Sequence, residues 1–299
     1  MTVERPLSGA GPALPHATFR VANVVLRYEA LEPDIRFMVR DVIRPFMGPE
    51  TAAPDCVLAC NVGSVTPSKF PISFSAPVWD LRHLPNGAEE MVFRSTEPWA
   101  RLRTNIDFSQ GILTFSDVRD RPSLIYPGDY PIAEYLACRL IGKRGGLHLH
   151  ASAVTFGDGA YVFLGHSGAG KSTLAHLAET SGGKVLSDDR TIITVGDGGA
   201  VAWGTPWHGS LQRTSATSAP IIGLALLVQS DRDRLSEVPA TVALKEIFVR
   251  LIQPRLDRGE VDNTLGAVER LLAAIPLHKF EFTQSPSAIE TLRRGWRAA

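Results

Sequence analysis

Between Gly165 and Ser172 the chain reads GHSGAGKS, which fits G-x-x-x-x-G-K-[ST]. Few eight-residue stretches constrain a fold as tightly. The glycines let the backbone curl so that successive N–H groups point inward at phosphate oxygens. Lys171 adds a positive point charge, and Ser172 supplies a hydroxyl for a magnesium ion. This geometry needs a strand before the loop and a helix after it. YVFLG reads as the strand and LAHLA as the helix, so this part of the chain is expected to be α/β. ATP with Mg²⁺ is the expected ligand, held by Gly165, His166, Ser167, Gly168, Ala169, Gly170, Lys171, Ser172 and Thr173. His166 stands at a freely varying position of the motif and is expected to face solvent.

A second chemical signal follows. The short apolar strand Lys184–Ser187 ends in Asp188 and Asp189. In a parallel sheet the carboxyl end of a strand beside the loop's own strand faces the phosphates, so both carboxylates can reach the γ-phosphate and its metal. One can hold Mg²⁺ and the other can accept the proton of an attacking hydroxyl. Adjacent residues on an extended segment point opposite ways, which suits such a division. His148 and His150 share one face of the strand before the loop, but no Cys/His spacing completes a zinc set around them.

The rest of the chain falls into two textures. Up to residue 143 it is strand-rich, with alternation over Ala22–Glu29 and Ala100–Phe108. DCVLACNV, PISFSAPV, EEMVFRS and GILTFSD are further short strands. A helix is expected over Asp34–Phe46. Asp117–Asp129 reads as a connection, and Ile132, Tyr135, Leu136 and Leu140 mark a second helix. From residue 144 strands and helices mix. Two strands turn at Gly157-Asp158-Gly159, and IIGLALLVQ reads as a strand covered on both faces. Leu244–Leu251 and Leu265–Leu272 are amphipathic helices, the first stopped by Pro254. LHKFEFT is a last strand and PSAIETLRRGW a last helix, whose Arg293 and Arg294, with Arg297, read as a solvated face. The expected division is a strand-rich domain at 1–143, reading substrate or partner, and a nucleotide-handling domain at 144–299.

Taken together, His150, GHSGAGKST and LSDDR resemble the catalytic core of the HPr kinase/phosphorylase family, over roughly Leu147–Thr194. The resemblance implies a P-loop kinase domain of the phosphoenolpyruvate-carboxykinase-like α/β fold, preceded by a smaller, mainly β (α+β) domain. It implies that Asp189 takes the proton of a serine hydroxyl. Asp188 and Ser172 would hold Mg²⁺, and His150 and Lys171 would lie near the transferred phosphate. Homo-oligomers are usual in that family. Two features depart from it. Thr173 follows Ser172 where the family usually has Glu, and WGTPWHGS (Trp203–Ser210) replaces the family's Arg-Gly-x-Gly signature. That segment shapes the acceptor site in the true kinases, so the expected acceptor is a serine in another peptide or protein, such as a modified-peptide precursor, or a small hydroxyl compound. Aromatic rings and glycines in GTPWHGS suit an acceptor pocket and a simple packed turn equally, and Arg190 and Arg213 are candidate charge stabilisers or, taken singly, surface salt-bridge partners.

Bulk properties limit other functions. The 299 residues carry 31 basic and 31 acidic side chains, so no global field draws in nucleic acid or a membrane surface. No apolar run is long enough to span a bilayer. The opening MTVERPLSGAGPALP lacks a secretory pattern and reads as a loose tail. Cys56, Cys60 and Cys138 are expected to be buried free thiols, which favours a cytoplasmic protein. A nucleotide-binding regulatory module with little turnover is the alternative from outside the enzymes.

Overall fold

The computed structural model describes residues 14–49, 52–116, 124–252 and 258–297, without the side chain of Arg297. The expected loose start, most of the connection after Asp117, Pro254 and the Arg297 side chain therefore lie outside what is described. Packing divides the chain into two compact units. The first comprises Met1–Thr18, Leu26–Val39 and Pro49–Pro127, and the second comprises Phe19–Val25, Arg40–Gly48 and Gly128–Ala299.

The N-terminal strands are β1 (His16–Val21), β2 (Val24–Ala30), β3 (Arg36–Phe37), β4 (Cys56–Gly63), β5 (Phe74–Ala76), β6 (Trp79–His83), β7 (Glu89–Arg94), β8 (Pro98–Thr104), β9 (Gln110–Ser116) and β10 (Leu124–Ile125). Eight of them form one sheet in the order β1-β2-β4-β9-β8-β7-β6-β5, while β3 pairs in parallel with β10. Cys56 and Cys60 are buried free thiols on β4, and burial pushes each up to about 12.

Two expectations fail here for local reasons. The segment Asp34–Phe46 is not one helix. Arg36 and Phe37 extend to pair with Leu124 and Ile125, and after the turn at Asp41–Ile43 helical hydrogen bonding is confined to the 3₁₀ element Arg44–Phe46, with Pro45 inside it. The β-branched Ile35 and Val39 on either side of that pairing favour extended backbone over a continuous helix. The strand expected to run to Phe108 ends at Thr104. Asn105 Oδ1 accepts the Gln110 N–H and Asp107 Oδ1 the Ser109 N–H, which closes a side-chain-supported turn. Ile106 is consequently 64% exposed whereas Phe108, at φ +64°, is buried.

The second unit contains α1 (Ile132–Lys143), β11 (Leu147–Thr155), β12 (Ala160–Leu164), α2 (Lys171–Thr180), β13 (Lys184–Ser187), β14 (Arg190–Gly196), β15 (Gly199–Trp203) and β16 (Ser218–Gln229). It continues with β17 (Arg234–Glu237), α3 (Ala240–Phe248), α4 (Arg258–Ala274), β18 (Leu277–Phe282) and α5 (Ser287–Arg297). The helix α1, which the strand-rich half was expected to contain, belongs to this unit. Its sheet runs β12-β11-β14-β15-β16-β18-β17, and β16 also pairs in parallel with β12. The fold is thus mixed α/β. Among the described residues, no helix is long and apolar enough to cross a membrane.

Burial on both faces explains the nearly continuous apolar strands. Val162 and Leu164 of β12 and Leu224 of β16 join one core with Ala243 and Ile247 of α3 and Val268 and Leu271 of α4. Tyr161 and Phe163, with Ala225 and Leu227, join the other core with Leu174 and Ala178 of α2 and Ile289 and Leu292 of α5. Arg293 of α5 is not simply solvated, since its guanidinium lies 4.7 Å from the centroid of the Phe156 ring.

The order of strands also differs from the expected one. β13 does not lie beside β12; β11 runs antiparallel between them and pairs with both. Two strands antiparallel to a shared neighbour are parallel to each other, so Gly165 and Asp188 still leave the same end of the sheet. Leu224 holds this arrangement at its centre. Leu224→Ala is expected to lower stability by about 3 kcal/mol, read as a lower urea midpoint; a loss under about 1 kcal/mol would contradict the packing described.

Candidate active site

The loop after β12 is built by exclusion. Gly170 opens α2 at φ +97°, and a Cβ there would lie 2.5 Å from the Phe282 ring. A Cβ on Gly165 would lie 2.6 Å from that of Ala169. Only glycine lets the chain pass both points. Gln229 Nε2 ties the loop down by donating to the Gly168 carbonyl oxygen at 2.9 Å. The Lys171 ammonium donates to the carbonyl oxygens of Gly165 at 3.0 Å and His166 at 3.2 Å. Burial holds that ammonium below its ordinary value; the charge of Asp189 opposes the shift and that of Arg250 adds to it. His166 is exposed, with Nδ1 2.6 Å from the Ser167 carbonyl oxygen, as expected of a solvent-facing loop residue.

The two carboxylates do divide their work. Asp188 is 1% exposed. Its Oδ1 accepts the Gly209 N–H and its Oδ2 the Leu211 N–H, each at 2.8 Å. Expected as a metal ligand, it commits both oxygens to the backbone of the loop that follows GTPWH. Asp189 turns the other way. Its Oδ1 lies 3.2 Å from His150 Nδ1, and its Oδ2 accepts a hydrogen bond from Arg190 Nη1. Burial works to raise its carboxyl, but the hydrogen bond and charge of His150, then Arg190 and Lys171, outweigh this and lower it. Asp189 is therefore ionised at neutral pH.

Strand register explains why His150 arrives here. Ala151 of β11 pairs with Leu164, the last residue of β12, so His150 stands level with the start of the phosphate loop. Its own N–H donates to the Arg250 carbonyl oxygen at 2.8 Å. His148, two residues back, lies wholly inside. Its Nδ1 is 2.7 Å from the Cys138 thiol, and its ring centroid is 5.6 Å from that of Trp207. Burial, helped by the charge of Arg190, lowers its pKa to about 3, so it is a neutral core residue.

Several contributors carry no motif. Glu134, on α1, accepts from Arg190 Nε at 2.6 Å. Burial raises its carboxyl while Arg190 opposes the rise. Arg190 in turn bridges Glu134 and Asp189, and its guanidinium lies 5.9 Å from the centroid of the Tyr130 ring. Arg250 is turned by a 2.6 Å pair with Glu246. Nothing in the spacing of Glu134 or Arg250 announces them. Arg213 pairs with Glu179 instead of facing the phosphate loop.

Beside Arg190 lies a cavity of about 380 Å³ whose lining includes Arg40, Ile43, Asp129, Tyr130, Trp207 and His208. Trp207 Nε1 donates to the Gly128 carbonyl oxygen at 3.0 Å, which fixes the indole as part of the wall. On its other side the same loop places Ser210 Oγ 3.3 Å from Ser172 Oγ.

The arrangement can do three things chemically. It can wrap an anion in backbone N–H groups, place an ammonium and a hydroxyl beside that anion, and offer an ionised carboxylate whose partner Arg190 lines a cavity. Among the described residues no cluster of three or more His, Cys, Asp or Glu side chains is placed to hold a metal ion. A magnesium ion bound with phosphates needs only one or two protein oxygens, and Ser172 fits that requirement.

A neutral His148 has a consequence for pH. The unfolded histidine takes up a proton near its ordinary value of 6.5 and the folded one only near 3. Stability from this residue is thus full above 6.5 and falls as pH drops toward 3. In the folded protein the His148 ring resonances are expected to stay in the neutral form down to pH 5 by NMR; an inflection near 6.5 would contradict the burial. Compared with the known protein families the chain matches none, and a search of curated proteins returns no match.

Proposed function

We propose that the chain is an ATP- and Mg²⁺-dependent kinase that transfers the γ-phosphate to a hydroxyl, most readily a serine of a peptide or protein. We place its second unit in the phosphoenolpyruvate-carboxykinase-like class of P-loop folds. One observation carries the reading: Lys171 with Ser172, Asp189 and His150 come from three separate stretches of backbone and meet at one end of one sheet. A protein that only binds nucleotide has no use for an ionised carboxylate held beside a cavity.

In this reading the amides of Gly165–Ser172 hold the β- and γ-phosphates. Lys171 exchanges two carbonyl oxygens for phosphate oxygens. Mg²⁺, when bound, would neutralise charge on the β- and γ-phosphates, and Ser172 would hold it. The glycines support the fit, because a Cβ at Gly165 would meet Ala169 and one at Gly170 the Phe282 ring, so the loop could not keep its path without them. Asp189 accepts the acceptor's proton, and His150 and Arg190 fix which carboxylate oxygen faces it. Asp188 acts through the loop that it anchors. The acceptor hydroxyl enters by the cavity of Tyr130 and Trp207, whose size suits a side chain or a compact molecule.

The test follows label from the γ-phosphate of ATP, with Mg²⁺ and a panel of serine peptides and small hydroxyl compounds. Transfer to at least one acceptor is expected. Asp189→Asn should slow it about a hundredfold or more while leaving ATP affinity nearly unchanged. Label appearing only as free phosphate with every acceptor, or an Asp189→Asn variant that transfers normally, would overturn the assignment.

A further inference from the structure

We propose that Ser210 is itself a phosphate acceptor, and that the protein phosphorylates its own chain there. The inference rests on the kinase reading and adds an acceptor to it.

Ser210 is the residue between the two amides that Asp188 holds. The Gly209 and Leu211 N–H groups each donate to one Asp188 oxygen at 2.8 Å, so the backbone on both sides of Ser210 is pinned. Its side chain is exposed and points to the phosphate loop, with Oγ 3.3 Å from Ser172 Oγ. The loop also lies against the base. A Cβ on Gly209 would be 2.9 Å from the Cβ of Asp189, so no side chain could separate Ser210's neighbour from that carboxylate. The Asp188 clamp therefore sets the Ser210 hydroxyl beside that of the phosphate motif, with its neighbour Gly209 packed on the residue that carries the ionised carboxylate.

A nucleophile fixed at the γ-phosphate end of the cradle reacts without the entropy cost of recruiting one from solution, an advantage worth many orders of magnitude in effective concentration. The step balances. The Ser210 Oγ–phosphorus bond forms, the bond from phosphorus to the β–γ bridging oxygen breaks, Asp189 takes the Ser210 proton, and ADP leaves. The product limits itself, since a phosphoserine brings a charge of about −1.5 to −2 beside Asp188 and Asp189. One phosphate per chain is the expected end point.

The experiment uses the purified full chain, ATP labelled in the γ-phosphate and Mg²⁺, with no other acceptor. Intact mass and phosphopeptide mapping locate the label, and ADP is measured in parallel. The expected result is one phosphate, on Ser210, at a rate that does not change over a tenfold range of protein concentration. Ser210→Ala should lose the label while binding ADP as the parent does, and Asp189→Asn should lose it with Ser210 intact. ADP formed without phosphate on Ser210 would overturn this inference and leave the kinase reading standing. So would label on Ser167, Ser172 or Thr173, or a rate proportional to protein concentration. Neither ADP nor label, in a protein that binds ATP, would overturn both.

Discussion

A buried carboxylate is costly unless hydrogen bonds replace the water it loses. Asp188 meets that requirement with two backbone amides from a loop more than twenty residues downstream in the chain. Much of the candidate site depends on this attachment. It ends β13, carries Gly209 onto Asp189, and sets one face of GTPWHGS over Ser172 while the other lines the cavity. Thr205 adds to it by donating to the Arg190 carbonyl oxygen at 2.6 Å. The loop is thus a structural part of the sheet end and no free flap.

Around that anchor the charges form a connected line. Glu134 holds Arg190, Arg190 holds one oxygen of Asp189, and His150 faces the other. Each buried ion has a partner, as burial at low dielectric demands. The line also orients Asp189, because Arg190 and His150 fix the carboxylate plane from its two oxygens. Lys171 stands beside it with its ammonium turned onto two loop carbonyl oxygens, a pose that a phosphate can replace without rebuilding the loop.

What the sequence made legible was whatever has a local cause. GHSGAGKS sets its own backbone through glycine sterics, and the strand and helix on either side follow from apolar pattern. The carboxylate pair was readable as a pair, and opposite-facing neighbours do meet different partners. Which job fell to Asp188 was not readable, because its partners are amides that only the tertiary fold brings near. Glu134 and Arg250 were invisible for the same reason, as was the insertion of β11 between β12 and β13. The failure at Asp34–Phe46 has another source: residues that pattern as a helix instead pair with a distant strand, where tertiary contacts override propensity. At Asn105–Ser109, side-chain-supported turn chemistry ended a strand that alternation alone would extend.

The proposed function requires the sheet end holding Gly165, Lys171 and Asp188 to receive a nucleoside triphosphate with its metal. Amide NMR of the labelled protein during titration with Mg²⁺ and a non-hydrolysable ATP analogue tests it most directly. Saturable shifts are expected, concentrated in the Gly165–Thr173 amides, with a linked response at Gly209 and Leu211 through the Asp188 clamp. Shifts that saturate elsewhere while these amides stay silent at millimolar nucleotide would contradict it.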